Sequence, residues 1–302
     1  MTVTCVDWRD RDDRQIAGLY DAEIDRWSSS LGWDTRAVWK EVDRGRRLGT
    51  VIGRLALDRD GTCAGWSFAI VHRGTLQIGG LVANSEEVDS ALLQSLGDSF
   101  AGSTAASMSA FVWPDAPGLE RVLTERRVQV EPYDYMNAAP GGDTHRQAVA
   151  LRPWRPSDFD ATLELLASAY PGGDVSRPFA PGGTAAEWHE YVAGLVGSGA
   201  CGMLMPSSSF VATAADGTLL GLVLVTRLAA TTAHVAQLVV APAAQRQGAG
   251  RSLLDAASCH ARLAGCDRIT LLVARRNVKA YRLYEQSGFR PITTFLSARS
   301  NP

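Results

Sequence analysis

Hydrophobic positions along this chain recur at two spacings: every second residue in short runs, and every third or fourth in longer ones. The first spacing marks half-buried strands and the second amphipathic helices. Read in order, the pattern predicts a strand over 3–8 and a helix over 13–27, whose Ile16, Leu19, Tyr20, Ile24 and Trp27 share one side. A second helix follows over 35–42. Strands over 51–57 and 65–71 flank the turn Asp58-Arg59-Asp60-Gly61, a hairpin signal. A strand over 76–82, a helix over 87–96, a strand over 110–113 and a helix over 118–126 follow. Residues 137–143 are polar and rich in Pro and Gly, and read as a linker.

The second half repeats this order. A strand over 151–154 opens it, helices follow over 158–169 and 185–196, and strands over 210–213 and 219–226 flank Asp216-Gly217-Thr218. A β-branched run over 235–240 is closed by Ala241-Pro242 and followed by a helix with Leu253, Leu254, Ala257 and Ala261 at helical spacing. The likeness reaches single residues. Asp60-Gly61-Thr62 matches Asp216-Gly217-Thr218, Leu81-Val82-Ala83 matches Leu238-Val239-Val240, and Ala91-Leu92-Leu93 matches Ser252-Leu253-Leu254. Similarity that keeps its order along the chain favours duplication.

Between the strand at 235–240 and the next helix lies Gln245-Arg246-Gln247-Gly248-Ala249-Gly250-Arg251. N–H groups at a helix N-terminus have no intrahelical acceptor and sit at the positive end of the macrodipole. Glycines let a bulky anion approach them, so the turn reads as a pyrophosphate cradle. Two other phosphate loops do not match. Gly250 is followed by Arg251-Ser252 where a P-loop needs Lys-Ser/Thr, and Leu253 stands where a dinucleotide fingerprint needs its third glycine. Downstream, the strand over 269–274 leads to Asn277, Ala280, Tyr284, Gly288 and Phe289 at a fixed spacing.

These two stretches resemble the Gln/Arg-x-x-Gly-x-Gly/Ala and Asn-x-x-Ala-x-x-x-Tyr-x-x-x-Gly-Phe signatures of the GNAT superfamily, the GCN-related N-acetyltransferases. The resemblance covers residues 148–296. It implies an α/β (α+β GNAT) fold with two tandem acetyltransferase-like domains, each a central, mostly antiparallel mixed sheet flanked by helices. The expected division is a degenerate domain at 1–143 without the CoA loop and a catalytic domain at 148–302. From Val82 to Leu92 is ten residues, and from Val239 to Leu253 fourteen; the shortfall falls in the phosphate loop. The remaining Asn84-Ser85-Glu86-Glu87-Val88-Asp89 has no glycine and three carboxylates, which repel a pyrophosphate. In the same register Ala116 replaces Asn277, Leu123 replaces Tyr284 and Arg127 replaces Gly288.

The resemblance assigns roles in the second half. Leu238, Val239 and Val240 offer backbone groups to the pantetheine arm of acetyl-CoA. Residues Gln245, Arg246, Gln247, Gly248, Ala249, Gly250 and Arg251 hold the pyrophosphate, and Asn277 and Tyr284 complete the cofactor site. Arg275 and Arg276 are candidates for another phosphate. Tyr284 has the position of the general acid; a phenol of pKa about 10 can protonate a thiolate of pKa about 8.5. His234 is the candidate base, with an ordinary pKa near 6.5, on the face that alternation gives Ala236 and Leu238. His189, Glu187 and Glu190 are candidate substrate contacts. A packed aromatic, a packed histidine and a solvated helical face are the structural alternatives for these groups.

Composition narrows this further. With 302 residues the chain accommodates two cores, and 46% hydrophobic with 21% charged residues is ordinary for a globular protein. Six of the eight tryptophans precede residue 114, which suggests a large core in the first half. A net charge of -2 gives no global attraction to nucleic acid or anionic lipid. The N-terminus is charged where a signal peptide is apolar, and the aliphatic run over 219–225 is too short to span a bilayer. Five cysteines without Cys-x-x-Cys read as reduced thiols, which places the protein in the cytoplasm; no metal-ligand spacing is visible. The expected activity is acetyl-CoA-dependent N-acetyl transfer, by direct attack, to a primary amine of a small molecule, with no metal, nucleic-acid or membrane partner. The alternatives are a protein or peptide N-acetyltransferase, and a non-catalytic CoA-binding regulatory or interaction protein.

Overall fold

Strands and helices alternate as the hydrophobic pattern requires in the computed structural model, which describes residues 3–99, 107–115, 118–141, 148–170, 180, 182–198 and 201–300. Chain order is β1 (Thr4–Asp7), α1 (Asp13–Leu31), α2 (Arg36–Leu48), β2 (Ile52–Leu57), β3 (Cys63–His72), β4 (Thr75–Ala83) and α3 (Glu86–Ser99). Next come β5 (Ser107–Val112), α4 (Leu119–Glu125), β6 (Gln129–Ala138), β7 (Ala150–Pro153), α5 (Phe159–Ala169) and α6 (Ala185–Ala193). Then follow β8 (Met203–Leu204), β9 (Phe210–Thr213), β10 (Leu219–Ala229), β11 (Thr232–Val240), α7 (Ala249–Leu263), β12 (Arg268–Ala274), α8 (Val278–Gln286) and β13 (Arg290–Arg299). No helix among the described residues is long and apolar enough to cross a membrane.

Two compact units result. The first comprises Met1–Leu31, Thr35–Tyr133 and Thr294–Pro302, and the second Gly32–Asp34 and Asp134–Thr293. They are interleaved in sequence, unlike the consecutive stretches 1–143 and 148–302: the last segment of the chain packs in the first unit. Two strands that hydrophobic alternation did not flag, β6 and β13, carry the crossings. Each holds a proline, Pro132 and Pro291, and proline inside a run argues against a strand unless ladder bonds are spared there. Asn137 and Ala138, read as linker, end β6.

In the first unit the strand order is β1-β2-β3-β4-β5, continued by the end of β13. There Leu296 faces Val112 and Ala298 faces Ala110 in antiparallel register. The β4–β5 pair is parallel, and the α3 crossover makes that possible. One face of the sheet buries Leu92, Leu96, Leu119, Leu123 and Leu296. On another cluster Trp8, Tyr20, Trp39, Trp66 and Phe68 pack as an aromatic core, which absorbs half of the early tryptophans.

The second unit has the order β6-β12-β11-β10-β9-β7, with β8 also on β10. Its β11–β12 pair is parallel, and its two strands are joined by α7. Val223, Val225, Val235, Leu253, Leu254 and Ile269 form the core beneath α7. Leu222, Leu224 and Val239 instead pack with Leu165, Leu166, Trp188 and Val192 of α5 and α6. A β-bulge and a strand split near the centre of this sheet prepare the site.

Candidate active site

The β11–β12 ladder runs through Thr232↔Arg268, Ala233↔Ile269, His234↔Thr270 and Val235↔Leu271, and then ends. Beyond it the strands part, so the β12-facing backbone of residues 236–240 is left without that ladder. On the other side of β11 the β10 register jumps from Leu224↔Gln237 to Val225↔Val235, which makes Ala236 the bulged residue. A bulge adds one residue to one strand and so shifts the phase of side-chain alternation. His234 and Leu238, expected on one face, are therefore separated: Leu238 packs beside Val235 under α7, whereas Ala236 joins the α5–α6 side. An exposed strand edge at a bulge can pair with an extended ligand through main-chain hydrogen bonds.

The strand leads directly into the glycine turn. Arg246 adopts φ +63° and Gly248 φ +85°, both left-handed, and Gly248 is the N-cap of α7. The first bond back into the turn is from the Ser252 N–H to the Gly248 carbonyl at 3.0 Å. The N–H groups of Ala249, Gly250 and Arg251 ahead of it have no acceptor within the helix, the condition for anion binding at a helix start. A Cβ on Gly248 would lie 2.8 Å from that of Ala148, in addition to the backbone strain, so this glycine is required. At Gly250 a Cβ would make only ordinary contacts, 3.5 Å to Leu283. Gln247 donates to the Ala243 carbonyl at 3.0 Å and Gln245 to that of Val240 at 3.4 Å; these side chains brace the turn. Arg251 is turned along α7 onto Asp255 at 2.9 Å and donates to the Gln286 carbonyl at 3.2 Å.

Helix α8 carries the second motif. Asn277 caps it, accepting from the Ala280 N–H at 3.3 Å. At its other end the Gly288 N–H donates to Glu285 O and the Phe289 N–H to Tyr284 O, with Gly288 at φ +89°. This is a Schellman closure, and its usual apolar contact is the Tyr284–Phe289 ring pair at 5.9 Å. The spacing Tyr-x-x-x-Gly-Phe is thus a device that fixes Tyr284 in the last turn. Its side chain is 7% exposed, and burial, together with nearby Tyr170, pushes its pKa well above the ordinary value, so the phenol stays protonated.

His234 is also buried, 3% exposed, with its ring 6.0 Å from those of both Trp33 and Tyr135. Thr270 Oγ1 donates to Ala233 O at 3.2 Å and lies 2.9 Å from Nδ1. The Thr270 hydroxyl therefore engages the Nδ1 edge of the ring. Burial pushes the pKa down to about 4, so the ring is neutral at pH 7.

Residues 160–289 match the family model described as Acetyltransferase (GNAT) family. The second unit carries a GNAT acetyltransferase domain. A mycothiol acetyltransferase of Beutenbergia cavernae is 35% identical over an alignment of 147 residues that covers 42% of this chain and 49% of that protein. The match therefore spans about half the length of that relative. A GCN5-related N-acetyltransferase from Sphaerobacter thermophilus has a similar fold, with TM-score 0.61 and 17% identity over 82% of this chain and 80% of its own. A tandem GNAT protein from the clavulanic acid biosynthesis pathway matches 100% of this chain and 99% of its own, with TM-score 0.57 and 13% identity.

Around the bulge at Ala236 stand residues that the motifs did not reveal. Gln237 donates to Tyr170 at 3.2 Å, and the single hydroxyl hydrogen of Tyr191 is shared between Gln237 Oε1 at 3.0 Å and Ala236 O at 3.2 Å. Aromatic residues in helical stretches carry no sign of such pairing, and the bulge that aims Gln237 is invisible to alternation. Asp134, buried in β6, accepts from Arg275 at 2.9 Å and Tyr281 at 2.9 Å and so anchors the start of α8. Arg275 is paired with Asp134 while its side chain stays half exposed. Glu187 is held in a capping box with Thr184, and His189 packs edge-on against Phe159 at 5.2 Å. Of the first-half counterparts, Ala116 lies outside the described residues.

Proposed function

We propose that the second unit transfers an acetyl group from acetyl-CoA directly to a primary amine of a small molecule, and that the first unit binds no CoA. The observation that carries this reading is one sheet position where four features meet. They are the split after Val235, the bulge at Ala236, the glycine turn and the Schellman-held Tyr284. Acetyl-CoA supplies an activated acyl group and a thiolate leaving group. The N–H groups at the start of α7 suit its pyrophosphate, with Arg246 beside them. The free edge of Leu238, Val239 and Val240 suits the pantetheine amides. Donors at the bulge suit the thioester carbonyl, where negative charge develops.

Tyr284 is the proposed acid. A phenol that burial keeps protonated cannot be lost to ionisation at working pH, and a thiolate in the same low-dielectric site takes its proton readily. His234 remains the proposed proton acceptor. A ring of such low basicity accepts a proton only once bond formation has acidified the amine, so its pH limb falls near 4, not near neutrality. For the first unit, Glu86 and Glu87 at the start of α3 support the absence of a phosphate site.

Replacing Tyr284 by Phe keeps the ring and its packing and removes the proton. Turnover, followed by thiol release with a panel of amines, is expected to fall about 100-fold. Acetyl-CoA affinity by calorimetry should stay within about twofold. Wild-type turnover in this variant, where chemistry limits the rate, contradicts the assignment.

A further inference from the structure

Gln237 follows the bulged residue, where a side chain stands beside the proposed thioester site. Among the described residues the hydrogen bonds of its amide are incomplete. Nε2 has two hydrogens; one goes to Tyr170 at 3.2 Å, and the second makes only a marginal contact with Leu238 O at 3.5 Å. Oε1 has two lone pairs, and one of them accepts from Tyr191. One acceptor site and one weakly used donor therefore remain on a half-buried amide held by two tyrosines. A group that both donates and accepts complements that pair: a hydroxyl or a carboxamide.

The first unit supplies an internal control. Its β3–β4 register jumps from Phe68↔Gly80 to Ala69↔Ile78, which places a bulge at Gly79 and makes Gly80 the counterpart of Gln237. There the Phe68 ring covers both glycines; a Cβ would meet it at 2.2 Å on Gly79 and 2.8 Å on Gly80. Where no chemistry is proposed, an aromatic ring takes the space a side chain at the position would need. Where chemistry is proposed, it carries an amide oriented by two hydroxyls. Scaffolding alone requires only the first.

We propose that Gln237, oriented by Tyr170 and Tyr191, is a specificity-determining residue that reads a hydroxyl or carboxamide next to the acceptor's amino group. This rests on the acetyl-transfer reading and names the substrate class within it. A site built to hydrogen-bond such a group rejects the analogue lacking it, because its own polar atoms are then left unpaired.

The test uses the full chain at saturating acetyl-CoA with matched amines, 2-aminocyclohexanol against cyclohexylamine and alaninamide against 3-methylbutan-2-amine. Each pair is compared as kcat/KM per unprotonated amine. The wild-type protein should favour the hydrogen-bonding member at least tenfold. Gln237→Leu should bring the ratio near one, chiefly through KM, with acetyl-CoA affinity unchanged by calorimetry. If Gln237→Leu does not fold, Tyr170→Phe, which removes one hydroxyl, must reduce the ratio by itself. An unchanged ratio in a folded variant overturns the inference, as does a wild-type protein that binds acetyl-CoA but fails to discriminate or acetylates none of the four. Failure to bind acetyl-CoA at all would sink the transfer reading itself.

Discussion

Each unit has a parallel strand pair that holds for four residues and then opens: Thr75 to Ile78 against Ser107 to Ala110 in the first, Thr232 to Val235 against Arg268 to Leu271 in the second. Each has a bulge at the next residue, Gly79 and Ala236. Each closes the following helix in the same manner. In α4 the Arg127 N–H donates to Thr124 O and the Val128 N–H to Leu123 O, as Gly288 and Phe289 do at the end of α8. Arg127 even takes φ +60°, a left-handed conformation that costs a non-glycine residue about 1 kcal/mol. The frame is therefore common, and the differences are few and local. Leu123 stands for Tyr284, Gly80 under Phe68 stands for Gln237, and Ser85-Glu86-Glu87 stands for the glycine turn. At that helix start Arg121 pairs with Glu86, so an internal carboxylate occupies the positive end of α3. A fold can be kept while its site is lost, because the site depends on a handful of positions.

The strongest test of this shared frame is a core residue of the first unit. Phe295, buried in the first unit, packs on Trp27, Phe111 and Trp113 at 5.6, 5.5 and 6.0 Å. Phe295→Ala should destabilise the protein to urea by about 3–5 kcal/mol. A loss below about 1 kcal/mol would remove the last strand from the first unit's core.

Titration should separate the units next. His234 has its folded pKa depressed to about 4, so its contribution is complete above pH 6.5 and lost as pH falls from there towards 4, by about 3 kcal/mol. Asp89, buried in the first turn of α3 near Asp115 and with Oδ2 unpartnered, has its pKa raised to about 7. A raised carboxyl works the other way: stability is complete below about pH 3.8 and falls as pH rises towards 7. Stability against pH should therefore lose its acid-side slope in His234→Leu and its alkaline-side slope in Asp89→Asn. Asp89→Asn should also be the more stable protein at pH 8. Parallel shifts of the whole curve would show that neither group is buried as described.

A smaller effect sharpens the contrast at the turn. Gly248→Asp adds a side chain where φ is +85° and places a charge beside the phosphate position. Acetyl-CoA affinity should fall at least tenfold, about 1.4 kcal/mol. Gly250→Ala should leave it within about threefold, because the added methyl meets only ordinary contacts. Equal losses at both positions would dissolve the distinction.

Much of this was legible in the residues. The order of elements, the duplicated pattern, the turn at residues 245–250 and the capped helix from Asn277 all followed from periodicity and spacing. Three things did not. The bulge at Ala236 reverses alternation without altering composition, so His234 and Leu238 were placed together. Prolines in β6 and β13 hid the strands that interleave the units. Gln237, Tyr170 and Tyr191 meet only through tertiary packing across residues 170–237, which spacing along one element cannot register.

The central claim is that one unit retains a cofactor site that the other has filled with its own carboxylates. Calorimetric titration of the full chain with acetyl-CoA measures this directly. The account predicts one site per chain, abolished or weakened at least tenfold by Gly248→Asp and unaffected by Glu86→Gln. Two equivalent sites, or a single site lost with Glu86→Gln and retained in Gly248→Asp, would contradict it.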